Sequence, residues 1–108
     1  MDAKYVAAGE AVDYRPASNV SAGDIVVQGD LVGVATTAIT ANTLGSLTVS
    51  GVFDVAKASA TVFTAGAKVY WDATAKEAVT TSSNTYYVGK AIAAAGNGTT
   101  TVRVRFSQ

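Results

Sequence analysis

The sequence predicts a single all-β domain, a small barrel or sandwich, from three observations: apolar residues recur at every second position, Gly and Asn punctuate the chain at short intervals, and 108 residues leave room for one core. A long helix has no place in that pattern.

The elements follow in chain order. Ala11 to Tyr14, Ile25 to Gln28 and Leu31 to Thr36 read as strands, and Ile25-Val26-Val27 with Leu31-Val32 are continuous apolar runs of the kind found where both faces are covered. Next, one extended segment sets Leu47, Val49, Phe53 and Val55 on one side against Ser46, Thr48, Ser50 and Asp54 on the other, with Gly51 at a bulge or close crossing. Ala67, Val69 and Trp71 then alternate with Lys68, Tyr70 and Asp72. The polar loop after Asp72 returns the chain into Ala78 to Thr81 as a hairpin. Tyr86 to Ile92 is a further strand, and Val102, Val104 and Phe106 alternate with Thr101, Arg103 and Arg105 in the most regular strand of all. Helix is limited to at most one or two turns, within Ala56 to Thr64, because Ala91 to Ala95 is too short to nucleate one and runs into Gly96.

Turns separate the strands at Ala22-Gly23-Asp24, Gln28-Gly29-Asp30, Ala65-Gly66-Ala67 and Gly96-Asn97-Gly98. Two of them begin matching stretches: Ser21 to Val27 echoes Thr64 to Tyr70, and Val32-Gly33-Val34-Ala35 echoes Val88-Gly89-Lys90-Ala91. Reuse of one turn type accounts for the echo most simply, and a pseudo-repeated barrel is the alternative. The chain divides into an N-terminal arm, residues 1–15, ahead of the single Pro, and a β domain over residues 16–108.

Charged residues make up 15% of the chain against roughly 25% in an average soluble domain, so Thr, Ser, Ala and Gly must supply most of the surface. Such a surface packs against protein at little desolvation cost. Lys and Arg balance Asp and Glu, which leaves no basic field for direct nucleic-acid binding or an anionic membrane. No apolar run reaches the roughly 18 residues of a membrane span, no signal-peptide core follows Met1-Asp2-Ala3-Lys4, and zero Cys fits a reducing compartment. Synthesis in a cytoplasm is the expectation.

Reactive constellations are lacking. The chain has no His and no Cys, so Ser triads, thiolate catalysis and the common zinc sites are excluded, and no Ser has a Lys three positions on. Asp24 and Asp30 flank a strand beside glycines and read as turn stabilisers, while Glu10 and Asp13 lack calcium-loop spacing. No cofactor, metal or catalytic residue is expected, and the chain is not an enzyme. Tyr70, Tyr86 and Tyr87 could form an aromatic platform for sugars, although alternation turns one member of each neighbouring aromatic pair inward, Trp71 among them. Arg103 and Arg105 share the outward face of the last strand, the mark of a solvated or subunit-facing sheet edge.

Val12-Asp13-Tyr14-Arg15-Pro16-Ala17, Ala22 to Ala35, Gly45 to Lys57, Gly66 to Asp72, Val88-Gly89-Lys90-Ala91 and Thr101 to Arg105, in that order, resemble the small phage capsid cement or head decoration proteins. Ala67 departs from the pattern, where a polar or charged residue is expected. The resemblance implies a β-tulip-like barrel or sandwich. It implies a virion structural protein on the outside of an icosahedral phage head, commonly trimeric, that clamps neighbouring subunits of the major capsid protein. Carbohydrate or surface binding is the alternative function. Lys4, Tyr5, Val6 and Tyr14 of the arm, with Arg103 and Arg105, are the expected partner contacts, because the arm is apolar enough to adhere yet too short for a core. It is expected to be mobile when free and to pair with a capsid edge strand or a neighbouring cement subunit.

Overall fold

The computed structural model describes residues 2–4 and 9–108. Nine strands occur among them: β1 (Ala11–Tyr14), β2 (Ile25–Gln28), β3 (Leu31–Val34), β4 (Gly45–Thr48), β5 (Gly51–Ala56), β6 (Lys68–Asp72), β7 (Glu77–Val79), β8 (Tyr86–Ala91) and β9 (Thr101–Phe106). They form two antiparallel sheets, ordered β1-β4-β3-β2 and β5-β9-β8-β6-β7. The architecture is a sandwich and not a closed barrel: β7 approaches β5 but pairs only through one isolated parallel bridge, from Ala78 to Lys57 just beyond β5.

Two apolar clusters hold the layers. The larger lies between the sheets and joins Val32 and Val34 of β3 to Val55, Val69, Trp71, Val88, Val102, Val104 and Phe106 of the five-stranded sheet, with Phe63 and Ala95 from its loops. The smaller sits on the far face of the four-stranded sheet, where Ala35, Ile39 and Leu47 pack with Val12, Tyr14, Val20 and Val26. The double-faced apolar runs are therefore explained: Ile25 and Val27 of β2 face the first cluster while Val26 faces the second. β9 alternates strictly, with Val102, Val104 and Phe106 buried and Thr101, Arg103 and Arg105 exposed.

The expected single segment from Ser46 to Val55 is corrected. It is two strands in two sheets, β4 and β5, and the chain changes sheet at Val49 and Ser50, with Gly51 at φ 123 as the corner. Leu47 and Val55 do point inward, but into different clusters. No helical turn occurs among the described residues. In Ala56 to Thr64 the reason is Lys57, only 5% exposed, whose ammonium donates to the carbonyls of Ala58, Thr61, Gly96 and Thr99. The Thr61 carbonyl is thereby turned to a cation and not to an amide farther along the chain, while that of Ala58 closes only a single turn with the amide of Thr61. Residues 11–14 of the expected arm form β1, hydrogen-bonded to β4 with Val12 opposite Leu47, and Arg15 donates to the carbonyl of Asn42, 2.6 Å away.

The sequence echo is a repeated supersecondary unit. Val20 bridges Ile39 as Phe63 bridges Ala95; the Gly23 amide donates to Ala35 as that of Gly66 donates to Ala91; and Ala35 donates back to Asp24 as Ala91 does to Ala67. The amide of Asn42 donates to the carbonyl of Pro16 as that of Gly98 donates to Ser59, both at 2.8 Å. Strand for strand, β1-β4-β3-β2 matches β5-β9-β8-β6, and β7 is an addition to the second unit. Val26 opposes Gly33 as Val69 opposes Gly89. Both glycines are required by crowding, since a Cβ at Gly33 would lie 2.8 Å from that of Leu47 and one at Gly89, at φ 158, would overlap the carbonyl oxygen of Arg105. The units are stitched by Gln108, whose side chain both accepts from the amide of Val32, at 2.8 Å, and donates to its carbonyl.

Substituting Lys57→Ala leaves the inward-facing carbonyls of Thr61 and Thr99 without a donor, while those of Ala58 and Gly96 keep Thr61 and Thr99 as theirs, and is expected to lower unfolding free energy by about 2 to 4 kcal/mol in urea titration. Gly89→Ala, which forces β8 away from β9, is expected to cost at least about 2 kcal/mol in the same titration.

Candidate functional site

The second unit presents one uncovered sheet face. Alternation within β6, β8 and β9 sends Val69, Trp71, Ala91, Val102 and Val104 to the core, so Lys68, Lys90, Arg103 and Arg105 emerge on the opposite side, and the register shift in β8 turns Val88 inward although it shares the parity of Lys90. Register then brings them together: Lys68 lies opposite Lys90, Lys90 opposite Arg105, and Arg105 opposite Val52 of β5, which is 52% exposed. Half the cations of the chain occupy this face.

Its one carboxylate on β5 is Asp54, paired across the strands with Arg103 at 2.9 Å. The hydrogen bond from Arg103, aided by its charge, holds the Asp54 carboxyl below its ordinary range, and Asp54 raises Arg103 in return. Both side chains are half or more exposed, so the pair fixes geometry more than it stabilises. Tyr70 and Tyr87 meet edge to face beside the cations, with ring centroids 5.7 Å apart. A β-bulge between Val69 and Tyr70 sets this register. Tyr86 instead packs against the core, and Trp71 is buried, as alternation required.

The sequence-predicted contacts separate into groups. Arg103 and Arg105 share the cationic face, but β9 is paired on both sides, with β5 and β8, and is not the sheet edge expected of it. Lys4 is exposed and outside any strand, Tyr5 and Val6 lie outside the described residues, and Tyr14 is turned into the smaller core cluster on the other sheet. The sequence reading missed Lys68 and Lys90, because only strand register makes them neighbours of Arg105. Lys68 carried a signal, its outward parity in a strand already recognised, whereas Lys90 shares the parity of buried Val88 and only the register shift in β8 turns it outward.

One further concavity, of about 570 Å³, opens between β2 and β5 over Ile25, Val27, Phe53 and Trp71. Its carboxylates are committed, Asp24 accepting from the amide of Ser21 at 3.0 Å and Asp54 from Arg103. Asp24 and Asp30 stand beyond opposite ends of β2, more than about 13 Å apart at the rise of a strand, too far to share a proton. No group of three metal-ligating side chains occurs among the described residues.

The sequence model of the phage cement proteins matches residues 6–106, nearly the whole chain, and the chain belongs to that family. Comparison with curated proteins and with solved structures returned no match.

Because Asp54 is depressed in the folded state, its pairing stabilises the fold fully above the ordinary Asp value of 3.8 and loses that contribution as pH falls through the lower folded value. Carboxyl chemical shifts followed by NMR are expected to place the Asp54 midpoint below 3.8, and Arg103→Gln to return it to that value.

Proposed function

We propose, from membership in the phage cement protein family, that this chain binds the outer surface of an icosahedral phage head and stabilises it by bridging subunits of the major capsid protein. The match over residues 6–106 carries the reading, and it gives the chain a capsid-stabilising, structural role in the virion. The protein is made in the host cytoplasm and joins the shell as a homotrimer. Trimerisation multiplies weak contacts, since each subunit already held raises the local concentration of the next.

Two regions supply the grip. One is the N-terminal arm, residues 1–15, whose Lys4, Tyr5 and Val6 precede β1 and whose Tyr14 anchors β1 to the smaller core cluster. β1 ends its sheet with one edge unpaired by the described residues, and an extended segment of a shell subunit or of a second copy adds there by strand pairing. The other is the exposed face carrying Arg103 and Arg105. Adhesion of this kind asks for no catalytic residue.

A second reading, carbohydrate binding, draws support from the half-buried Tyr70 and Tyr87 pair. Loss of glycan-array binding in Tyr70→Ala would favour it; saturable binding to heads favours cement.

Purified chain is expected to co-sediment saturably with expanded heads lacking it, and to raise the temperature at which those heads rupture. Deleting residues 1–9, all of which precede β1, is expected to reduce head binding by about tenfold or more while the far-ultraviolet dichroism stays unchanged. Undiminished binding by the truncated chain removes the arm from the proposal.

A further inference from the structure

We infer that the outer face of the five-stranded sheet is a docking surface for an acidic patch on another protein, gripped by the cross-strand row Lys68, Lys90 and Arg105. The inference rests on the capsid reading only in naming that partner as a shell subunit.

Like charges directly opposite one another on neighbouring strands oppose folding, and here two such pairs are consecutive, Lys68 with Lys90 and Lys90 with Arg105. No salt bridge among the described residues reaches them: Asp54 is taken by Arg103, and Asp72 and Glu77, opposite each other at the far end of β6, form none with the row. The fold has no use for cations at these positions. In the first unit the strand pairings place Ile25, Val34 and Thr48 where the second has Lys68, Lys90 and Arg105. There Ile25 and Val34 pack into the core between the sheets. The same face of the same unit is thus a packing surface once, and in its second occurrence an exposed one whose apolar residues are replaced by cations.

The composition suits a protein partner. Arg105 is continued across β5 by exposed Val52, and the Tyr70 and Tyr87 pair flanks the row, so cations, an aliphatic group and aromatics adjoin as they do in protein interfaces. Successive cations stand one strand spacing apart, about 4.8 Å, which matches carboxylates on neighbouring strands of another sheet. A long polyanion fits worse. Residues 10–50 carry Glu10, Asp13, Asp24 and Asp30 against Arg15 alone, so a nucleic acid running off the row meets an acidic half of the molecule.

The test compares wild-type chain, the triple variant K68E/K90E/R105E and the single variant Lys76→Glu, whose charge change lies in the β6–β7 turn, for co-sedimentation with heads of the encoding phage that lack this chain. Wild-type binding that weakens as salt rises, a loss of about a hundredfold in the triple variant and less than about twofold change for Lys76→Glu support the inference. A neutral variant, Lys90→Gln, is expected to melt at the same temperature as wild type or higher, because only repulsion is removed; a lower melting temperature gives the row a structural role and overturns the inference. Equal head binding by wild type and the triple variant also overturns it while leaving the capsid reading intact. Wild-type chain that fails to bind heads defeats the capsid reading and the named partner together. Binding of 30-bp duplex DNA that depends on the same three residues overturns the choice of a protein partner.

Discussion

A four-stranded sheet with apolar residues on both faces has to cover both, and this constraint organises the molecule. Each unit alone can cover one face with its own connecting loop: Ile39 of the first crosses beneath Leu47, and Phe63 and Ala95 of the second lie under their own sheet. The other face needs a neighbour. Stacking the first unit on the inner side of the second covers three faces of the four, which concentrates the larger core between the sheets. The fourth face is left open, and it is the one bearing Lys68, Lys90, Arg103 and Arg105.

The same constraint explains where the backbone tolerates no side chain. Gly33 and Gly89 occupy equivalent positions, and both permit a neighbouring strand to approach more closely than a Cβ would permit. Lys57 and Gln108 do the complementary work, supplying hydrogen bonds where the strand ladders stop: the ammonium closes the loop after β5 onto the loop before β9, and the amide group pairs with Val32. A sheet protein with few charges and short strands depends on such polar closures, because an unpaired buried backbone group costs about 1 to 3 kcal/mol, more than the roughly 0.8 kcal/mol a buried methylene contributes.

Function follows from the asymmetry between the units. The first is rich in carboxylates and the second in cations, so an otherwise neutral chain is electrically two-sided. A virion structural protein needs adhesive surface in place of a reactive cleft, and an open sheet face with fixed charges, exposed aliphatic Val52 and an aromatic pair offers that. The Arg103 and Asp54 pair holds one arginine in place and leaves the other free to contact a partner.

Much of this was legible without coordinates. β9 was readable because one face is buried and the other wet, so period two appears undisturbed, whereas the echo at Gly23 and Gly66 read more simply as a reused turn type than as the repeated unit the structure holds. Periodicity failed at Ser46 to Val55, where the chain passes between sheets without changing parity, so Leu47 and Val55 read alike while serving different cores. It was silent on Lys57, since composition assigns lysine to the surface and only converging carbonyls make its burial stable. By itself the sequence determined the strands, the all-β class and the family, because these depend on local alternation and on residue order. Tertiary structure alone decided the pairing of the two units and the row of Lys68, Lys90 and Arg105, because strand register joins residues far apart in the chain, and no local pattern encodes which strand becomes a neighbour.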